Sequence, residues 1–256
     1  MEYALNIQHI DQCDLWDDRY QRIYFGDEFC NENIPSVDDT KRLMDFCSQH
    51  ALRMTLVTPF LTDRGVDAYA GIVRLLSGCQ GLDLEVVLND WGFLPLCRES
   101  GVKISLGRLL THQPSDPRLG THRRPGKNIS EKWQRIPVNT YFTAFMKEQH
   151  IERIELSNTA LGVAKEQLDE MPFSFSLHVP DVYLTLTRYP LFSGRDRFKI
   201  FSGSGASLPE EIVIAIKNIE TPIFIRKNAF FYKNPHFEAY DGEDHPVDRI
   251  VYTLYP

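Results

Sequence analysis

The chain has 256 residues and a formal charge of −7 at neutral pH, with 43% apolar and 25% charged residues, an ordinary globular balance. Its 16 Phe, 11 Tyr and 3 Trp rule out a disordered chain, and no uninterrupted apolar run approaches the ~18 residues of a membrane span. The acidic total argues against generic duplex binding, and the opening stretch lacks the basic and apolar regions of a secretory leader, so a cytoplasmic location is expected.

In chain order, short β-rich runs alternate with helical ones. Glu2–Ile7 and 22–26 read as strands. The apolar spacing of Val37, Leu43, Phe46 and Cys47 predicts a helix over 37–51, capped by Ser36 or Asp38. A strand over 53–58 stops at Pro59, and a helix over 65–77 ends near Gly78. Leu84–Leu88 is a buried strand, 91–100 a short helix stopped by Gly101, and 102–106 another strand. The second half continues with a helix over 140–150, a strand over 151–156, a helix over 161–171 and a strand over 173–178. Strands alternating with helices mean βαβ units and a parallel sheet, and about eight such strands favour a barrel. The expected architecture is one TIM-barrel-like (β/α) domain over 1–256, with Tyr24, Leu56, Val87, Ile104, Ile154 and Phe175 in its core. A β extension is expected over 222–256. Two segments break the rhythm: 107–135, far longer than an ordinary connection of roughly 2–6 residues, and the Gly-, Ser- and Arg-rich 188–208.

The five cysteines, Cys13, Cys30, Cys47, Cys79 and Cys97, are widely spaced with no C-x-x-C, which excludes a zinc ribbon and a thioredoxin motif. Reduced thiols acting as small apolar fillers are expected. No H-E-x-x-H, G-x-S-x-G or Walker A sequence occurs, and Gly203-Ser-Gly205 lacks the strand-to-helix setting of a dinucleotide loop.

Parallel α/β folds gather ligands beyond the carboxyl ends of their strands. The residues following the strands are Asp27-Glu28-Phe29-Cys30, then Asn89-Asp90-Trp91, then Gly107-Arg108, then Ser157-Asn158, with His178 closing its own strand. Glu28, Cys30, Asp90 and His178 are the candidate catalytic groups. Glu28 or His178 would move protons, and Cys30 would be nucleophile, ligand or relic. Asn89, Trp91, Arg108, Gln113, Arg118, Arg188 and Tyr189 are the candidate substrate contacts. Asn89, Asp90, Ser157 and Asn158 are equally good helix N-caps. The 107–135 segment carries Arg108, Arg118, Arg123, Arg124, Lys127, Lys132 and Arg135 against Asp116 and Glu131. Such local positive charge suits an anionic small molecule, or less well an RNA backbone. It also suits a solvated loop.

Several of these runs carry a family resemblance. Ile23-Tyr-Phe-Gly-Asp-Glu-Phe-Cys30, Leu84-Glu-Val-Val-Leu-Asn-Asp-Trp-Gly92, Ile151-Glu-Arg-Ile-Glu-Leu-Ser157, the 173–178 strand with its histidine, and Thr187-Arg-Tyr189 resemble, in order, signatures of the collagenase-like peptidase family of unknown mechanism, number thirty-two of the U series. Its relatives include proteins of oxygen-independent ubiquinone hydroxylation and RNA hydroxylation. The resemblance implies a TIM-barrel-like domain and peptidase-like or hydroxylation-related activity. Its cluster-bearing members use one early cysteine, matched by Cys30, and three late ones. Here no Cys follows Cys97. An iron–sulfur cluster wants four thiolates, so no cofactor and no metal are expected. The alternative is a non-catalytic accessory subunit that partners a cluster-bearing paralogue.

Overall fold

The computed structural model describes residues 1–120, 135–187, 211–217, 219–234 and 246–254. Seven short apolar strands come first: β1 (Glu2–Ile7), β2 (Arg22–Phe25), β3 (Arg53–Val57), β4 (Leu84–Leu88), β5 (Lys103–Leu106), β6 (Ile151–Ser157) and β7 (Ser174–Val179). Then come β8 (Asp181–Leu186), β9 (Glu211–Ile214), β10 (Ile223–Arg226) and β11 (Ala229–Lys233), and last β12 (Val247–Thr253). The strands β1-β12-β7-β6-β5-β4-β3-β2 close into a barrel, every pair of which is parallel. The expected barrel is therefore present.

The segment 222–256, expected as one C-terminal β extension, divides between two sheets. β12 is the eighth barrel strand, pairing with both β1 and β7. β10 and β11 join β8 and β9 in an antiparallel sheet ordered β8-β11-β10-β9. A barrel needs a partner for both edges of its open sheet, and β12 supplies it. A two-residue turn between Arg226 and Ala229 makes β10 and β11 an antiparallel hairpin.

Helices α1 (Val37–Gln49) and α2 (Asp63–Ser77) follow β2 and β3 as full elements, each opened by a hydroxyl cap. Ser36 accepts from the Asp39 N–H, and Thr62 from the Gly65 N–H. Beyond them the rhythm thins. The 91–100 stretch splits into a 3₁₀ turn and α3 (Leu94–Ser100), which ends at the left-handed Gly101. The expected aperiodic loop opens with a helical turn, α4 (Arg108–Thr111). α5 (Thr140–Glu148) is capped by Asn139, and α6 (Lys165–Asp169) is shorter than the predicted 161–171.

The six predicted core residues are all buried, but on two faces. Leu56, Ile104, Ile154 and Phe175 point outward into the large cluster beneath the helices. Tyr24 and Val87 point inward, with Ala4, Val57 and Val251. The strand period of two puts Arg22, Thr55, Glu85, Ser105, Arg153, Glu155, Ser176 and Arg249 on that same inner face. The barrel is thus filled largely by charge, which survives burial only when cross-paired. Glu2 binds Arg22 at 3.0 Å and Arg249 at 2.5 Å, and Arg249 binds Glu85 at 2.7 Å.

The antiparallel sheet lies over the carboxyl end of the barrel. Phe231, Ala229 and Tyr183 pack on Phe29 and Leu109, which follow β2 and β5. The β10–β11 turn is fastened to the rim: Lys227 Nζ lies 2.7 Å from Asp27 and 3.0 Å from Gln8 Oε1, and Asn228 Nδ2 donates to the Phe29 carbonyl at 2.7 Å.

Candidate functional site at the barrel mouth

β2 runs into Gly26, whose φ of 125° turns the chain inward over the barrel. Asp27 holds the following loop by accepting from the Phe29 and Cys30 N–H groups. Glu28 is thereby set against Arg108, at the start of α4. The guanidinium gives Nε and Nη2 to Glu28, at 3.0 and 2.5 Å, and turns Nη1 toward Ser157 Oγ at 3.4 Å. Both partners are almost wholly buried, and the guanidinium also lies 5.2 Å over the Phe29 ring.

Below this pair, Glu155 and His178 meet at 2.8 Å on adjacent strands. Glu155 also accepts from Ser105 Oγ at 2.6 Å and from the Tyr24 hydroxyl at 3.2 Å, while Arg249 donates to Tyr24 at 2.7 Å. Burial alone would raise the Glu155 carboxyl. The His178 hydrogen bond and charge, Arg249 and Ser105 outweigh it and hold the carboxyl below its ordinary range. Burial pushes the His178 imidazole below its ordinary value, and the Arg108 charge adds to this, against the opposite pull of Glu155 and Glu28. An ionised Glu155 fixes hydrogen on Nε2, which leaves Nδ1 as an unprotonated acceptor. His178 Nδ1 is buried and has no hydrogen-bond partner among the described residues, and the same holds for Asn6 Oδ1, near the carboxyl end of β1.

A cleft of about 320 Å³ opens beside this group. Arg108, His112, Gln113, Ser115, Ser157 and Tyr183 line it, and among the described residues no carboxylate does. Gln113 braces the end of β6 by exchanging two hydrogen bonds with the Ser157 backbone, at 2.8 and 3.0 Å. Burial pushes the Tyr183 hydroxyl up to about 12, with Glu28 adding to it.

Of the residues expected at the site, the structure gathers Glu28, Arg108, Gln113 and His178. Asn89 is a brace. Its Nδ2 donates to the Thr58 carbonyl at 2.8 Å and its Oδ1 accepts from the Leu109 N–H at 3.0 Å. Asp90 caps the 3₁₀ turn through the Gly92 N–H and holds the Leu61 N–H. Trp91 packs edge-on against Phe142 and Phe145 of α5. Arg118 is exposed and paired with Asp116. Arg188, Tyr189, Arg123 and Arg124 lie outside the described residues. Cys30 is buried in the rim loop, and burial, then Asp27, raises its thiol. The cation beside it is Lys227. Among the described residues, which include all five cysteines, no group of three or more His, Cys, Asp or Glu is arranged to hold a metal. The residues present therefore do not fit a cysteine-ligated cluster.

Sequence reasoning missed Glu155, Ser105, Tyr24 as a polar group, and Arg249. A signal existed. Glu85 and Glu155 each interrupt an apolar strand at an inward position with apolar neighbours on both sides, and Arg249 takes an inward position between Asp248 and Ile250.

No protein-family model matches the chain, and no curated protein matches it. A solved structure with a similar chain path is a glycoside hydrolase family 18 N-acetylglucosaminidase from Paenibacillus barengoltzii, at 10% identity and a TM-score of 0.38, covering 99% of this chain and 95% of that one. No helix among the described residues is long and apolar enough to cross a membrane.

Proposed function

We propose that the chain is a divergent relative of the collagenase-like peptidase family whose barrel mouth binds a small anionic ligand, with Glu155 and His178 handling a proton beneath it. The observation that supports this reading is the make-up of the cleft: among the described residues, one guanidinium edge, the His112 imidazole, an amide and several hydroxyls line it, and no carboxylate does. Glu28 is already matched by Arg108, and Glu155 by its hydrogen bonds to His178, Ser105 and Tyr24. An anion entering the cleft therefore meets donors without repulsion. In this role Arg108 orients the anionic group, Ser157 and Gln113 shape the cleft, and His178 Nδ1 accepts a proton while Glu155 stabilises the imidazolium that forms. The reading needs no metal and no iron–sulfur cluster.

Citrate and phosphate at low ionic strength should raise the thermal midpoint by about 5 °C near saturation, by mass action on the folded state. The double variant Glu28→Gln/Arg108→Gln leaves no unmatched charge and should lose most of that rise. No rise for the wild type, or an undiminished rise in the double variant, overturns the reading.

A further inference from the structure

The cleft beside Arg108 is polar over only part of its wall. Phe60, Tyr183 and Leu184 line the rest, together with Leu109, which is almost wholly sealed. Phe60 is not sealed. With 40% of its surface exposed, it is the most exposed phenylalanine among the described residues. A ring left in water gains when something apolar covers it, roughly in proportion to the area covered.

The exposure of Phe60 is held in place by the backbone on both sides. The Thr58 carbonyl accepts from Asn89 Nδ2 at 2.8 Å, and the Leu61 N–H donates to Asp90 Oδ2 at 2.9 Å. Thr58 Oγ1 also donates to the Val87 carbonyl at 2.8 Å. The two braces that follow β4 thus pin the 58–61 connection and set where its ring stands. A pinned ring costs a ligand little further ordering.

The partners of Phe60 come from β8 and depend on an irregularity in that strand. Thr185 pairs with Phe230 and Tyr183 pairs with Phe231, so Leu184 is the extra residue of a β-bulge. Successive residues of a regular strand point to opposite faces. Here the bulge breaks the alternation, and Tyr183 and Leu184 both line the cleft. Both are half-buried. The Tyr183 ring is fixed by stacking on Phe29, with centroids 5.0 Å apart.

Size points the same way. The cleft holds about 320 Å³, within the usual range for a small organic molecule. A bare phosphate or acetate at Arg108 would leave most of that volume, and the apolar wall, in water.

We infer that this cleft takes an anion whose charged group is borne on an aromatic ring. The charged group lies at Arg108 and the ring against Phe60, Tyr183 and Leu184. This deepens the anion-binding reading of the cleft and rests on it.

Calorimetric titration of the full chain at low ionic strength and pH 8 tests the inference with three probes. Inorganic phosphate carries the charge alone, phenol the ring alone, and phenyl phosphate both. Phenyl phosphate should bind about tenfold more tightly than phosphate and with a more negative heat-capacity change. Phenol should bind at least about tenfold more weakly than phenyl phosphate. Phe60→Ala should cut the advantage of phenyl phosphate to about threefold or less and leave phosphate binding unchanged. The comparison of probes in the wild type does not depend on the variant. Phosphate binding with no gain from the ring overturns this inference alone and leaves the anion reading standing. Binding of neither anion overturns both. An advantage undiminished in Phe60→Ala, or phenol bound as tightly as phenyl phosphate, also overturns the inference.

Discussion

Glu155 and His178 sit on neighbouring strands with their side chains 2.8 Å apart and both out of contact with water. Arg249, from the last barrel strand, reaches them through the Tyr24 hydroxyl. A carboxylate in this position dictates the imidazole tautomer. Nitrogen NMR of the native protein at pH 7 should show His178 neutral, with hydrogen on Nε2 and a bare Nδ1. Glu155→Gln removes a charge that favours the imidazolium, so it should lower the His178 pKa further. An imidazolium at pH 7, or a rise in the variant, contradicts the assignment.

The buried Glu28–Arg108 pair makes a strong double-mutant prediction. Arg108→Ala leaves an uncompensated carboxylate and should destabilise the fold by about 3–5 kcal/mol in urea unfolding. Glu28→Gln/Arg108→Gln should cost well under the sum of the Glu28→Gln and Arg108→Gln losses, because no charge is stranded. Additive losses would show that the two side chains do not act as a pair.

Acid lability follows from the charged barrel floor. Burial would raise the Glu2 carboxyl, but the Arg249 and Arg22 charges and hydrogen bonds reverse this and hold it at about 2. A carboxyl depressed in the folded state contributes stability above its unfolded value of ~4.5, and that stability is lost as pH falls toward 2. With allowance for solvent screening the contribution is about 2 kcal/mol. His178 is depressed as well, so its contribution is present above ~6.5 and lost as pH falls below it. Stability should therefore rise with pH from about 2 to about 6.5. Glu2→Gln should flatten only the portion below ~4.5. An unchanged profile in that variant would refute the role given to Glu2.

Lys227, with φ of 51° in the β10–β11 turn, weighs backbone against side chain. Lys227→Met keeps the strained φ and loses the Asp27 bridge, so it should destabilise by about 1–2 kcal/mol. Lys227→Gly loses the same bridge but relieves the left-handed backbone, recovering about 1 kcal/mol. Glycine should therefore be the milder replacement in thermal unfolding. If methionine is the milder one, the turn carries no strain.

The thiols give a fifth check. Burial raises Cys47 and Cys97 to about 12, and raises Cys30 as well. All three should resist alkylation at pH 7.5 in the native protein and react on unfolding. Rapid labelling of Cys30 at pH 6 would mark an activated nucleophile and require a different account of the rim.

The barrel was legible because strand and helix periods are local. Runs such as Leu84–Leu88 and the apolar stripe of α1 carry their signal within a few residues. The carboxyl-end rule likewise brought Glu28, Arg108 and His178 into view one strand at a time. What only the closed barrel decided is which residues meet. Arg249 reaches Tyr24 across 225 positions, and Lys227 reaches Asp27 across 200. Asn89 and Asp90 have the same residue types as ligand contacts, yet they spend their polar atoms on Thr58, Leu109, Leu61 and Gly92. Val247–Thr253 looked like an appendage because a strand's sequence does not name its neighbours. Its place between β1 and β7 comes from the need to pair both sheet edges. Hydrophobic pattern records which face is buried. It does not record whether that face looks outward to helices or inward to a charged interior, and that choice is made only when the sheet curls shut.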